Sequence, residues 1–213
     1  MDADFWHDRW AKQQIGFHQT DGNDLLQRHF LALNLAADAR VFVPLCGKSR
    51  DIAWLLARGC RVVGIELSEI AVQQLFDEMA VVPVVSQIGP LTLYAADGVD
   101  IYVGDVFALT AKVLGQVDAV FDRAALVALP AELRSRYAAH LVAITDSATQ
   151  LVVTFTYDQT QMSGPPFSIS ERMIKDLYAG SYDLHDLQTQ DVPGGFKGKI
   201  PATETAWFLQ AAS

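Results

Sequence analysis

The stretch from Val41 to Glu66, VFVPLCGKSRDIAWLLARGCRVVGIE, constrains the fold more tightly than any other part of the chain. Val41 to Val43 form a β-branched and aromatic run closed by Pro44, and Arg61 to Glu66 form a second run that is apolar on both faces. Between them Ser49 is placed to cap a helix, Ile52, Leu55 and Leu56 share one helical face, and Gly59 is placed to stop the helix in a left-handed turn. Strand, helix and strand within about 26 residues make a βαβ unit, which requires a parallel sheet.

The rest of the chain extends this theme. NDLLQRHFLALN, residues 23 to 34, carries Leu25, Leu26, His29, Phe30 and Leu33 at helical spacing. Ser68 is placed to cap a helix through AVQQLFDEM, and LTLYAADGVDIYVGDVF holds two extended runs around Asp97-Gly98, the dipeptide of a tight hairpin. VDAVFD reads as a strand, Pro130 to Ile144 as a helix, and LVVTFTY as the next strand. SISERMIKDLYAG reads as a helix with Ser168 and Glu171 in capping-box spacing and Gly180 as terminator. YDLHDLQTQDV and TETAWFLQA read as two late strands joined by GGFKGK. The expectation is one domain over residues 1–213: an open α/β sheet, mostly parallel with an antiparallel late strand, and an N-terminal helical cap over residues 1–35. Ligands of such sheets sit beyond the carboxyl ends of the strands.

A chain of 213 residues, 51% hydrophobic, can bury a sizeable core. Its 16 Lys and Arg stand against 25 Asp and Glu, a formal charge of -9 that argues against a nucleic-acid partner. The apolar runs fall short of the ~20 residues that cross a bilayer, which argues against a membrane partner. MDADFWHDRWAKQQ lacks the basic-then-apolar pattern of an export signal, and Cys46 and Cys60 are too few for a disulfide framework. Cytoplasmic location, a small-molecule partner and a monomer are the expectations.

Gly47-Lys48-Ser49 invites a phosphate-loop reading, but that loop needs a glycine at position 42, which is Phe. A dinucleotide fingerprint needs two more glycines, and the loop from Pro44 to Asp51 has only Gly47. The Tyr and Lys four residues apart of short-chain reductases are absent, since positions 98, 106, 141, 161, 182 and 186 hold no Lys. What remains is a strand, a loop with one glycine, and a second strand ending in Glu66, 19 residues past Gly47. An acid there can accept hydrogen bonds from both hydroxyls of a ribose. Without a diphosphate, that arrangement suits S-adenosylmethionine. The alternative for Glu66 is a solvated strand end. Asp105, in GDVF, is positioned either to meet an adenine amino group or to cap the following turn.

WHDRW followed by GFHQ, then VFVPLCGKSRDIAWLLARG, VVGIELS and FDRAALVALP occur in that order. On these motifs the chain resembles the thiopurine S-methyltransferase family, particularly its bacterial branch, over nearly its full length. PLCGKS-D in place of a glycine-rich loop is the most distinctive of them. The resemblance implies a class I methyltransferase sheet of Rossmann-like type, S-adenosylmethionine as methyl donor, and methylation of sulfur on aromatic or heterocyclic thiols such as 6-mercaptopurine. It implies that Trp10 packs against the cofactor, that Leu45 lies in the loop around its methionine portion, that Glu66 holds the ribose, and that Asp105 and Val106 flank the adenine. It also implies that Arg123 lines the site near cofactor and acceptor and that Phe17 faces the acceptor. Animal members of the family carry a further basic residue near the acceptor in the C-terminal part, for which Lys197 and Lys199 are candidates, and the bacterial branch is also associated with selenium and tellurium species.

Methyl transfer from a sulfonium to a thiolate is an in-line displacement, so a dry site that holds both partners in line speeds it, with neither metal nor covalent intermediate. Phe5, Trp6, Trp10 and Phe17 supply aromatic area for a lid over the sulfonium, or else ordinary packing of a terminal helix. Arg123 follows the strand VDAVFD and can favour the thiolate form of an acceptor; paired with Asp122 or Asp105 it would be structural. It is the one catalytic candidate, as an electrostatic helper, and no residue is assigned as general base. Cys46 reads as a small buried residue, and His7, His18 and His29 as a chance spacing. Two other functions fit: a methyltransferase for halide, thiocyanate or inorganic chalcogen anions, and a non-catalytic cofactor-binding regulator.

Overall fold

A computed structural model describes residues 3–16, 18–19 and 21–212. Along the chain, α1 spans Ala3–Ala11, α2 Asp24–His29, β1 Arg40–Pro44, α3 Arg50–Ala57, β2 Arg61–Glu66, α4 Glu69–Met79, β3 Val84–Ile88, β4 Leu91–Ala96 and β5 Val99–Val103. Then come α5 Ala111–Leu114, β6 Ala119–Arg123, α6 Ala131–Thr145, β7 Thr149–Tyr157, α7 Glu171–Tyr178, β8 Tyr182–Asp191 and β9 Ala202–Ala211. These elements form two compact units, one of Met1–Asp24 with Leu35–Ala119 and one of Leu25–Asn34 with Val120–Ser213.

In the first unit the strands lie in the order β3-β4-β5-β2-β1. β1 and β2 are parallel with Pro44 opposite Ile65, and β2 and β5 are parallel with Glu66 opposite Val103. This register brings the carboxyl ends of three strands level, so the segments that follow Pro44, Glu66 and Val103 emerge at one edge of the sheet. Val41, Phe42, Val63, Ile65 and Ile101 are buried, as strands covered on both faces require. Ser49 accepts from the Asp51 amide and Ser68 from the Ala71 amide, so both expected caps form. Gly59 and Gly98 take the left-handed turns expected of them.

In the second unit the order is β6-β7-β9-β8. β9 is antiparallel to both β7 and β8, with a bulge at Asp186/Gln188. The Trp207 indole N–H donates to the Thr154 hydroxyl at 3.0 Å, so a polar pair inside this sheet is satisfied. α6 buries Tyr137, Ala138 and Leu141.

Several sequence expectations change in detail. The helix expected over 23–34 is α-helical only to His29 and continues as a 3-10 turn over Phe30–Leu33. β3 was not foreseen, because Val84 and Val85 are 73% and 51% exposed and the strand shows no alternation of apolar and polar faces. The antiparallel hairpin of β4 and β5 forms at Asp97-Gly98 as expected, and antiparallel pairing extends further, to β3 on β4 and to β9 on both β7 and β8. The cap of α7 is Ser170, which accepts from Met173, while the Ser168 hydroxyl accepts from the Tyr157 amide. The capping box expected of Ser168 and Glu171 is thus displaced by a contact across the loop.

Gly64 lies in β2, between β1 and β5. A Cβ there would stand 2.8 Å from Ile101 Cδ1, 3.0 Å from Cys46 Sγ and 3.3 Å from the Val43 carbonyl oxygen. Ile101 can yield, but the backbone oxygen cannot. Gly64→Val is expected to lower stability by about 1–3 kcal/mol through overpacking. Urea unfolding measures it, and an unchanged midpoint would contradict this packing.

Candidate functional site

The edge formed by the ends of β1, β2 and β5 holds a pocket lined by Leu45, Ile65, Glu66, Leu67, Gly104, Asp105 and Val106. Four of the residues singled out from the sequence, Leu45, Glu66, Asp105 and Val106, thus lie together on it. Apolar walls with two acids, Glu66 and Asp105, suit a ligand that has a flat apolar part and neighbouring polar groups.

Glu66 ends β2 and is 7% exposed. One carboxylate oxygen accepts from the Gly47 amide and the other from the Ser68 amide, each at 2.9 Å. The acid therefore joins the loop after β1 to the loop after β2. Burial pushes its carboxyl above the ordinary value, against the amides of Ser68, Gly47 and Leu67 and the nearby His7, which favour the charged form. A carboxylate accepts about four hydrogen bonds, so acceptor capacity remains for a ligand hydroxyl.

The loop after β1 reaches Glu66 by two left-handed residues, Leu45 at φ 47° and Gly47 at φ 52°. For Leu45 this region is disfavoured by its Cβ. Gly47 has a second reason to be glycine: a Cβ there would lie 3.0 Å from the Trp10 indole. Trp10, on α1, is 2% exposed, so the N-terminal helix is seated on this loop. A further tie was not foreseen. The Asn23 amide donates to Asp51 Oδ1 at 2.6 Å, and the Ser49 hydroxyl donates to Asp51 Oδ2 at 2.8 Å. Lys48 and Arg50 both reach Glu78 of α4, at 2.7 and 3.3 Å, and these contacts hold the Glu78 carboxyl below its ordinary value.

Asp105 lines the pocket and caps the next turn by accepting from the Phe107 amide at 3.0 Å. Phe17 lies outside the described residues. Cys46 is buried, and burial with the nearby Glu66 charge drives its thiol upward, away from a reactive thiolate. Lys197 and Lys199 are exposed on the turn between β8 and β9. Among the described residues there is no group of three or more His, Cys, Asp or Glu able to hold a metal, and no helix long and apolar enough to cross a membrane.

Arg123 ends β6 and is described with the second unit. Its neighbour Asp122 is fully buried. Asp122 Oδ1 accepts from the Leu126 amide at 3.1 Å and Oδ2 from the Tyr137 hydroxyl at 2.8 Å. Ala124, between them in the chain, is left-handed at φ 65°.

The family described as thiopurine S-methyltransferase (TPMT) matches residues 1–205. A thiopurine S-methyltransferase of Xanthobacter autotrophicus is 55% identical over 213 residues, all of both chains. Among solved structures, a magnesium protoporphyrin IX methyltransferase from Synechocystis with bound SAH superposes at a TM-score of 0.67 and 13% identity, covering 99% of this chain and 100% of that one. A Burkholderia thailandensis 1,6-didemethyltoxoflavin-N1-methyltransferase with bound S-adenosylhomocysteine gives 0.64 and 16%, covering 98% and 87%. These two establish the class I methyltransferase fold.

Burial raises the Asp122 carboxyl from 3.8 to about 6, against the stabilising amides of Leu126 and Ala125 and the Tyr137 hydroxyl. Between those two values the folded protein holds a proton that the unfolded chain has released, so this group's stabilisation grows as pH falls and is lost as pH rises through about 6. Asp122→Asn has no such proton. Thermal unfolding of both proteins across this range should show wild type losing stability relative to the variant as pH rises. Parallel curves would contradict it.

Proposed function

Because this chain belongs to the thiopurine S-methyltransferase family and is an S-adenosylmethionine-dependent methyltransferase, we propose that it methylates the sulfur of aromatic or heterocyclic thiols, with thiopurines such as 6-mercaptopurine as representative acceptors. Selenium and tellurium species are proposed as further acceptors. The observation that carries the cofactor assignment is Glu66. It is a buried acid on the wall of a small, largely apolar pocket, with acceptor capacity beyond its two backbone bonds.

The residues present fit S-adenosylmethionine. Glu66 is proposed to take the ribose hydroxyls, and Asp105 and Val106 to flank the adenine. Leu45 and Gly47 are assigned to the loop around the methionine portion, with Trp10 packed on that loop. When bound, the cofactor supplies an electrophilic methyl group on a sulfonium, which an acceptor thiolate takes by in-line displacement, leaving S-adenosylhomocysteine. The chain's own part is to orient and to exclude water. Trp10, buried beside Gly47, is placed to keep water from that loop. Phe17 is proposed to face the acceptor. Arg123 is proposed as the electrostatic helper that favours the thiolate, whose proton passes to solvent; heterocyclic thiols are acidic enough to need no dedicated base.

The acceptor class is tested by methyl transfer to 6-mercaptopurine, iodide and selenite under matched conditions. The thiopurine is expected to give a kcat/KM at least about tenfold above iodide, the scale on which one well-fitted pocket contact discriminates. A preference for iodide, or no transfer to any thiol, would contradict the proposed acceptor.

A further inference from the structure

Asp122 sits one residue before Arg123, in a fully buried position that is costly for an acid. It is compensated by three donors: the amides of Leu126 and Ala125 and the hydroxyl of Tyr137. Two of these come from the turn that begins at Arg123, and the third comes from α6. The turn itself is unfavourable for its sequence. Ala124 adopts φ 65° although it carries a Cβ, so the backbone just after Arg123 must be held by something other than local preference.

The far end of the same segment is fixed as well. The Phe167 amide donates to the Val127 carbonyl at 2.6 Å, and Arg134 donates to the Leu129 carbonyl at 2.8 Å while its guanidinium lies 5.1 Å from the Phe167 ring centroid. Residues 124 to 129 are thus tied at both ends. The inner tie, Asp122, adjoins the residue with the proposed chemical role. A carboxylate used only to fill space would be replaceable by an apolar residue of similar size, and these three donors would then be left buried without acceptors.

We propose that Asp122, together with Tyr137, is a positioning residue that sets the turn from which Arg123 acts. It touches neither cofactor nor acceptor, and its effect on turnover passes through Arg123. This inference rests on the assignment of Arg123 as electrostatic helper.

A double-mutant cycle of Asp122→Asn and Arg123→Ala in the full chain tests it, with kcat and KM for 6-mercaptopurine and Kd for S-adenosylhomocysteine as readouts. Asp122→Asn should lower kcat by about tenfold or more, the scale of a lost hydrogen bond to a charged group, and leave Kd within about threefold. In the Arg123→Ala background the same change should alter kcat by less than about twofold. Equal losses in both backgrounds, or an unchanged kcat in Asp122→Asn, would overturn the positioning role while leaving the Arg123 assignment intact. A wild-type kcat in Arg123→Ala alone would instead overturn that assignment, and the positioning role with it. Should Asp122→Asn fail to fold, Tyr137→Phe keeps the carboxylate, removes one donor and carries the same cycle.

Discussion

A carboxylate removed from water must be compensated by hydrogen bonds or take up a proton, and the site in the first unit is arranged around one that is compensated. Glu66 receives the Gly47 amide on one oxygen and the Ser68 amide on the other. Those amides belong to the segments following β1 and β2, so the acid fixes how the two lie at the sheet edge. The left-handed backbone at Leu45 and Gly47, and the indole of Trp10 lying 3.0 Å from where a Cβ at Gly47 would stand, belong to the same arrangement. A glycine-rich loop curls by its own conformational freedom. This loop, with a single glycine, is held by side chains: Glu66, Trp10, Asp51, and Glu78 through Lys48 and Arg50.

The second unit uses the same principle at Asp122, with backbone amides and a buried tyrosine hydroxyl as donors. The two acids differ in what remains open to them. Glu66 borders a pocket and keeps acceptor capacity there, whereas Asp122 is enclosed, faces protein donors, and has its carboxyl raised to about 6. The first is suited to binding a ligand and the second to fixing backbone.

Much of this was legible in the residues. β1, α3 and β2 follow from two β-branched runs, a serine cap and Gly59, and the hairpin of β4 and β5 from Asp97-Gly98. Glu66 and Asp105 could be grouped because strand ends in a parallel sheet converge, while Leu45 and Val106 came only with the family motifs. What escaped has a common cause. The left-handed conformations of Leu45 and Ala124 leave no trace in composition, since both residue types ordinarily avoid that region. The bond from the Asn23 amide to Asp51 joins positions 28 apart and depends on tertiary structure alone. Nothing in FDRAAL signals that the Asp122 oxygens accept from Leu126 and Tyr137. β3 presents exposed valines with no alternation to mark a strand.

Glu66 is proposed to bind the cofactor as well as bracing its loops. Calorimetric titration of the wild-type protein and of Glu66→Ala with S-adenosylhomocysteine tests it most directly. One site per chain is expected in the wild type and an affinity at least about tenfold weaker in the variant, the scale of hydrogen bonds to a charged acceptor. Wild-type affinity in a folded Glu66→Ala protein would contradict it.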